Sequence, residues 1–451
     1  MDSDTFPGFR SAVYGCFKRA GDALMNVADA LLTETRARSV AELSLSPLFE
    51  RRWPSIYEAF QDAQIDRSAM KEAFVRYAPL PEEGQRLVLG GDASSILRVE
   101  SRTARDRCYV HASNLPEGCK PVRPGWQFSE LAVLPKKPSS WVYVLDNQRI
   151  PSTATQGEVM AEQLREAVLL LSKRFVFVGD GYYGSETFRI LSADIDCDVL
   201  VRSAKNRVLY REPPLQTGDK RRGHPTWHGA PFKLHDPATH GTPDRSWEGN
   251  DAHGHRVEVA SWQNMHFRRA RKDTVWLNRV IRHGAAGTKR DPRTSWFLSW
   301  GCDPPIEWEV HSLYRLRFSL EHGYRVAKQV LFWEKPRLRT PEQFSCWTDI
   351  VSLVRNELFL ARDLSQACPQ PWESKRRDST PEQVRRAMPR IIAELGTPAR
   401  SCQPRGYSPG WPVGRARKPV ETHKVVYKAT QEAASTAKAN PSARPATVLV
   451  T

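Results

Sequence analysis

The segment YRLRFSLEHGYRVAK holds polar side chains whose types and spacing suit the binding of phosphates and metal ions. Read as a helix with about 100° per residue, it places four of them within roughly 60° of one another. These are Tyr314, Arg317, Glu321 and Lys328. The apolar residues fall on the neighbouring side, towards a core. The structural alternative is a solvent-exposed face in which Arg317 and Glu321 form an i, i+4 ion pair.

Two apolar runs of the sequence end in aspartate and supply two further carboxylates. LVLGGD ends at Asp92 and FVFVGD ends at Asp180, and we expect each aspartate at the C-terminal end of a buried strand. Ligands and metals collect at that end of an open α/β sheet. Alternatively each aspartate starts a turn or caps a helix, which fits the residues after Asp180 better than those after Asp92. Together with Glu321, the pair could hold two hard divalent cations about 4 Å apart across a phosphate.

The surrounding sequence predicts a mixed α/β sheet covered by helices. In residues 81–205 the apolar periodicity indicates several strands, then helix, strand, helix, strand. Residues 206–300 predict a β-rich insertion subdomain, and residues 301–365 return to the core with the helix that carries the glutamate. Residues 1–80 predict a helical N-terminal domain, a candidate for DNA binding. Residues 366–451 predict a basic, Pro-rich and mostly disordered tail with one helix at TPEQVRRAMPRIIAEL.

The charge of the chain points to an anionic partner. The 451 residues carry a formal net charge of +16 with a pI of about 9.6, which favours nucleic acid first and an anionic membrane second. No basic amphipathic helix with an aromatic face supports the membrane surface. The eight cysteines include no C-x-x-C pair and indicate reduced thiols. Zinc held by Cys108, His111 and Cys119 is the minor alternative.

On these residues the chain resembles the DDE transposases of bacterial insertion sequences, in the branch with a Tyr-x2-Arg-x3-Glu-x6-Lys signature. The four polar residues of the segment at 314–328 match every spacing of that signature. GDASS at Asp92 and VGDGYYG at Asp180 lie where the family carries its first and second catalytic aspartates. The resemblance covers roughly residues 80–365. Many relatives have Asp-Arg-Gly-Tyr at the second aspartate, where this chain has Asp-Gly-Tyr-Tyr.

The resemblance implies an RNase H-like fold and an enzyme that binds terminal inverted repeats, cuts at the element ends and joins the 3′-ends to target DNA. It implies catalysis by Asp92, Asp180 and Glu321 with two Mg²⁺ or Mn²⁺ ions. It also implies a homodimer in the synaptic complex and a location in the bacterial cytoplasm, at the nucleoid. Contacts to DNA are expected from the polar row, two insertion tryptophans and the basic tail, that is, from Tyr314, Arg317, Lys328, Trp296, Trp300, Arg415, Arg417 and Lys418.

The residues leave several alternatives open. Asp146 also ends an apolar run, WVYVLD, and is a rival to Asp92, although Arg149 nearby favours a structural ion pair. Trp296 and Trp300 also fit a place in the core. For the function, an RNase H-like nuclease without strand transfer would share all three carboxylates. A decayed copy would bind DNA without cutting it.

Overall fold

A computed structural model describes residues 4–112, 115–116, 118–213, 226–284, 291–365, 370–373, 378–403, 410, 412–416 and 419–428. The helices are α1 (Thr5–Cys16), α2 (Gly21–Thr33), α3 (Pro54–Asp62), α4 (Arg67–Arg76), α5 (Gln156–Leu170), α6 (Glu186–Leu191), α7 (Glu307–Leu316), α8 (Phe318–Arg325), α9 (Pro341–Leu360) and α10 (Pro381–Leu395). None of the helices in these ranges combines the length and the apolar content that crossing a membrane demands.

The strands are β1 (Phe17–Arg19), β2 (Gln64–Ile65), β3 (Leu87–Leu97), β4 (Cys108–His111), β5 (Val122–Val133), β6 (Tyr143–Ile150), β7 (Phe175–Gly179), β8 (Asp198–Ser203), β9 (Val208–Tyr210), β10 (Pro231–Lys233), β11 (Arg245–Asn250), β12 (Arg256–Met265), β13 (Val275–Arg282) and β14 (Arg293–Trp300). Short 3-10 turns occupy Ala41–Leu45, Pro237–Thr239 and Ala361–Asp363, and a π turn occupies Val326–Val330.

A mixed sheet of 10 strands runs through the described part of the chain. Its order is β11-β12-β13-β14-β8-β7-β3-β5-β4, and β6 also pairs with β5. β7 is parallel to both β3 and β8, and the other neighbouring strands of this sheet are antiparallel. From β3 to β8 the elements follow the order that the periodicity predicts. This mixed α/β architecture is consistent with an RNase H-like fold.

Alternating side chains of β7 divide the apolar interior into two cores. Phe175 and Phe177 join a large core that includes α5, α9 and the N-terminal helices. Val176 and Val178 join a smaller core with α7 and with Leu320 of α8. A strand buried on both faces reads as a continuous apolar run, as FVFVG does. The sheet edge at the end of β7 is therefore supported by helices on both sides.

The strand-rich stretch at residues 206–300 mainly extends the central sheet. β14 pairs with β8, and β13, β12 and β11 follow outward in that order. Phe297 and Leu298 of β14 lie in different cores, so this strand is buried on both faces and needs the central position. β9 and β10 form a two-stranded ribbon of their own, which a bridge between Tyr210 and His266 joins to the residue that follows β12.

The N-terminal helices are attached to the rest of the chain by buried ion pairs. Arg10 of α1 contacts Asp29 of α2 at 2.5 Å and Glu357 of α9 at 2.6 Å, and all three side chains are buried. Burial raises the pKa of Glu357 to about 7, although the charge of Arg10 acts in the opposite direction. When charged side chains are removed from water this completely, each needs an opposite charge beside it to remain stable. The contact therefore fixes α1 and α2 against α9.

The tail beyond residue 365 is described in part. α10 confirms the helix predicted there, and Arg385 of that helix donates to the carbonyl oxygen of Leu31 at 2.8 Å. Further on, Val426 forms a parallel bridge to Cys108, which returns the chain to the sheet. Much of the segment that the sequence predicts to be disordered lies outside the described residues.

Replacing Arg10 with Met removes the cation that both Asp29 and Glu357 contact. We expect the free energy of unfolding at pH 7, measured by urea denaturation, to fall by about 3 to 5 kcal/mol. Arg390→Met is the control, because the Arg390–Glu394 pair is solvent-exposed and its loss should cost under about 1 kcal/mol. Equal losses for the two variants would contradict a structural role for the buried pair.

Candidate active site

Asp92 and Asp180 lie side by side where the parallel pairing of β3 with β7 ends. Gly91 and Gly179 are the last register partners of this pairing, and one aspartate follows each of them. Asp180 comes directly after β7, as predicted. The prediction that a strand ends at Asp92 is wrong, because residues 92–97 stay in β3 through their pairing with β5.

The glycine before each aspartate is required by close packing. A Cβ at Gly91 would lie 2.5 Å from Cε2 of Phe177, and one at Gly179 would lie 2.7 Å from Cδ2 of Tyr183. Real Cβ atoms do not approach other atoms this closely, so larger residues would push the rings or the strands apart. Packing thus accounts for the glycine at the end of each run, and the chemistry of the site accounts for the aspartate that follows it.

Glu321 reaches the same site from α8. Arg317, at the junction of α7 and α8, donates to Oε1 of Glu321 at 2.8 Å and to Oδ2 of Asp92 at 3.5 Å. The Tyr324 hydroxyl donates to the main-chain carbonyl oxygen of Asp92 at 3.0 Å and ties the helix to the strand. The side chain of Glu321 is 52% exposed and that of Asp92 is 21% exposed. Arg317 therefore lies between a carboxylate of the sheet and one of the helix.

The carboxylates of the site act on one another electrostatically. The pKa of Asp92 is raised to about 6, first by burial, next by the negative charge of Asp180, and to a smaller extent by that of Glu321. The amide N–H of Ala93, which donates to Asp92 at 2.8 Å, and the guanidinium of Arg317 lower it. A carboxylate in such surroundings is stabilised in its ionised form by any further positive charge nearby.

The donor chemistry of the site fits a hard divalent cation, for which carboxylate oxygens are the preferred ligands. In the described residues, no three His, Cys, Asp or Glu side chains lie together closely enough to hold a metal ion among them. Asp92 and Glu321 share the guanidinium of Arg317 instead. Coordination by all three carboxylates therefore requires Glu321 to leave Arg317. The zinc alternative at Cys108 likewise has no such group in the described ranges.

Tyr314 and Lys328 take places that the helical row does not predict. Tyr314 is buried, and its ring packs against Phe297 with centroids 4.6 Å apart. Nζ of Lys328 lies 3.4 Å from the carbonyl oxygen of Ser95 and 3.8 Å from the carboxylate of Glu334. The prediction of one continuous helix is wrong. The segment is divided into α7 and α8 at Arg317, and α8 is followed by the π turn. The angular spacing of the row changes accordingly.

The two insertion tryptophans lie in the core, in the alternative position that the sequence left open. Trp296 is 3% exposed and Trp300 is 5% exposed. Trp296 packs against Trp262 with ring centroids 5.9 Å apart, and Trp300 packs against Phe188 at 6.4 Å. Both rings are buried against the core, so neither is presented to a base in this arrangement.

The rival carboxylate Asp146 lies away from the site, on β6. It faces a cavity of about 320 Å³ between α4, β6 and α9. Nε2 of Gln163 donates to it at 2.8 Å, and Nζ of Lys71 lies 3.3 Å away. Arg149, the partner that the sequence favoured, pairs with Asp106 instead. The register of β6 on β5 places Asp146 on the side of β5 opposite to β3.

The basic tail and one further cation complete the set of candidate residues. Arg415 is exposed, whereas Arg417 and Lys418 lie outside the described residues, so their contact with DNA stays a prediction. Sequence reasoning missed Arg202, an exposed residue near the end of β8 that directly follows the register partner of Gly179. The sequence carried a signal for Arg202, because this residue follows the apolar residues of β8. That strand runs parallel to β7, the strand that Asp180 follows.

The loop after the second aspartate retains a turn although its sequence departs from that of many relatives. Oδ1 of Asp180 accepts a hydrogen bond from the main-chain N–H of Tyr182 at 2.9 Å. Tyr183 is fully buried, and Nε2 of Gln156 donates to its hydroxyl at 3.0 Å. Tyr182 is 47% exposed, so an aromatic ring reaches solvent beside the site.

Substituting Asp92 with Asn tests the electrostatics of the site without any substrate. The pKa of Asp92 in the folded chain, about 6, lies above its ordinary 3.8, so the ionised carboxylate opposes folding above pH 6. We expect Asp92→Asn to raise the free energy of unfolding by about 1 to 3 kcal/mol at pH 7.5 in metal-free buffer. The gain should shrink as the pH falls from 6 towards 4. A gain independent of pH, or a loss at pH 7.5, would contradict this account.

Comparison with known proteins is consistent with the geometry. The family model described as DDE superfamily endonuclease matches residues 12–269, more than half of the 451 residues. The matched range contains Asp92 and Asp180 and ends before Glu321. No curated protein matches the chain. The protein belongs to the DDE superfamily of endonucleases.

Proposed function

We propose that the protein is a transposase of a bacterial insertion sequence. It binds the terminal inverted repeats, cuts at the element ends by metal-dependent phosphodiester hydrolysis and joins the 3′-ends to target DNA. The observation that carries the proposal is the position of Asp92 and Asp180 at the end of the β3–β7 pairing, with Arg317 joining Asp92 to Glu321, in a chain with a net charge of +16. The protein acts as a homodimer that bridges two ends, in the bacterial cytoplasm at the nucleoid.

In this proposal the three carboxylates hold two Mg²⁺ or Mn²⁺ ions. Bound there, the ions would activate a water or a 3′-hydroxyl and stabilise the leaving oxygen. The chain itself supplies rigid positions for two of the ligands, because Asp92 and Asp180 are fixed by the β3–β7 pairing. Glu321 is more exposed and is carried by a helix, so its side chain is the one with freedom to change partner.

Arg317 is suited to hold a phosphate once Glu321 changes partner. Its guanidinium is largely buried, and its Nε donates to no atom of the described residues. An arginine presents several N–H donors in a fixed plane, which matches the oxygens of a phosphate. The exposed cation Arg202 beside Asp180, together with Lys328 on the other side, adds to the positive field around the site.

Cleavage of DNA fragments that carry the ends of the encoding element tests the proposed reaction. With Mg²⁺, we expect the wild type to nick at the repeat ends. Asp92→Asn, Asp180→Asn and Glu321→Gln should each lower the rate by at least about 100-fold, because each removes a charged ligand. Asp146→Asn is the matched control and should cut, because Asp146 lies away from the site.

The products and the binding data separate the alternatives. Strand-transfer products identify a transposase, whereas cut ends alone identify a nuclease. A wild-type protein that binds the ends with the same affinity as its variants and never cuts would be a decayed copy. Cleavage by Asp92→Asn at the wild-type rate would refute the assignment of the first ligand.

A further inference from the structure

A buried ion pair lies directly beside Asp92, on the neighbouring strand β5. Glu130 of β5 is the register partner of Asp92 of β3, so the two side chains leave the sheet on the same face. Glu130 is fully buried and accepts from Arg355 of α9 at 2.5 and 2.9 Å. Nδ2 of Asn147 donates to it at 2.9 Å. A carboxylate buried this deeply requires partners of this kind.

Arg355 also contacts the helix that carries Glu321. A Cβ at position 323 would lie 2.7 Å from Nη2 of Arg355 and 2.6 Å from Cγ2 of Val142. Glycine at this position lets the backbone of α8 lie directly against the guanidinium. The next residue of the helix, Tyr324, is the one that donates to the carbonyl oxygen of Asp92. The guanidinium is therefore held between β5 and α8.

We propose that Arg355, held by Glu130, is a positioning residue that sets the distance between α8 and β3, and through it the approach of Glu321 to Asp92. The inference rests on the proposed function, in which those two carboxylates act together. A bidentate arginine–carboxylate pair has a fixed geometry, whereas apolar side chains can repack. Displacing a catalytic group by about 1 Å can cost on the order of 100-fold in rate.

Adding a methyl group at Gly323 displaces α8 without removing any charge. In a Val142→Ala background, the new methyl of Gly323→Ala meets chiefly Arg355. We expect the single-turnover cleavage rate of bound DNA to fall by about 100-fold relative to Val142→Ala, with a nearly unchanged Kd for DNA. Arg355→Lys in the wild-type chain keeps the positive charge but loses the bidentate contact with Glu130, so the cleavage rate should also fall, by at least about tenfold, with a nearly unchanged Kd for DNA.

Gly15→Ala is the matched control, because it adds the same methyl to another helical glycine where nothing lies within 4 Å. Its cleavage rate should equal that of the wild type. Hydrogen–deuterium exchange of the full chain without DNA gives a second readout. The amides of α8 should exchange faster in Val142→Ala/Gly323→Ala than in Val142→Ala, and faster in Arg355→Lys than in the wild type, whereas those of α5 should not change.

The two readouts separate this inference from the proposed function. If the wild type cuts and Gly323→Ala cuts at the rate of its Val142→Ala parent, the positioning role is overturned and the function stands. Cleavage by Arg355→Lys at the wild-type rate also overturns it. If the wild type never cuts, the proposed function fails, and unchanged exchange of α8 in the Gly323→Ala variant would then overturn the role of Arg355.

Discussion

The parallel pairing of β3 with β7 is the constraint on which the rest of the site depends. It brings Asp92 and Asp180 together behind two glycines that no larger residue can replace without moving a ring. The resulting burial and repulsion raise the pKa of Asp92 to about 6. Two carboxylates held together in this way are stabilised by a cation between or beside them. The site therefore needs positive charge, and the guanidinium of Arg317 supplies part of it.

The third carboxylate comes from a different kind of element, and buried charges fix that element in place. α8 touches the sheet through the hydroxyl of Tyr324 and through the guanidinium of Arg355. α9, which carries Arg355, is in turn fixed to the N-terminal helices by the contact of Arg10 with Glu357. Two ion pairs on α9 thus connect the N-terminal helices to the sheet edge that carries Asp92. Such pairs depend on geometry more than apolar contacts do.

Local sequence patterns predicted the order of elements and both aspartates. An apolar run that ends in Gly-Asp is a local signal, and so is the Tyr-x2-Arg-x3-Glu spacing that led to Glu321. Long-range pairing was not predictable in this way. The continuation of β3 past Asp92 depends on β5, and the burial of Trp296 and Trp300 depends on the pairing of β14 with β8. The division of the helix at Arg317 has no signal in the apolar periodicity.

In the proposed function, Asp92 and Asp180 together bind a divalent cation. The most direct measurement is a crystal structure of the full chain soaked with Mn²⁺, with anomalous differences recorded. We predict a peak within about 2.5 Å of carboxylate oxygens of both Asp92 and Asp180, with Glu321 turned away from Arg317. The absence of a peak there, with Mn²⁺ bound instead at other carboxylates such as Asp146, would contradict the account.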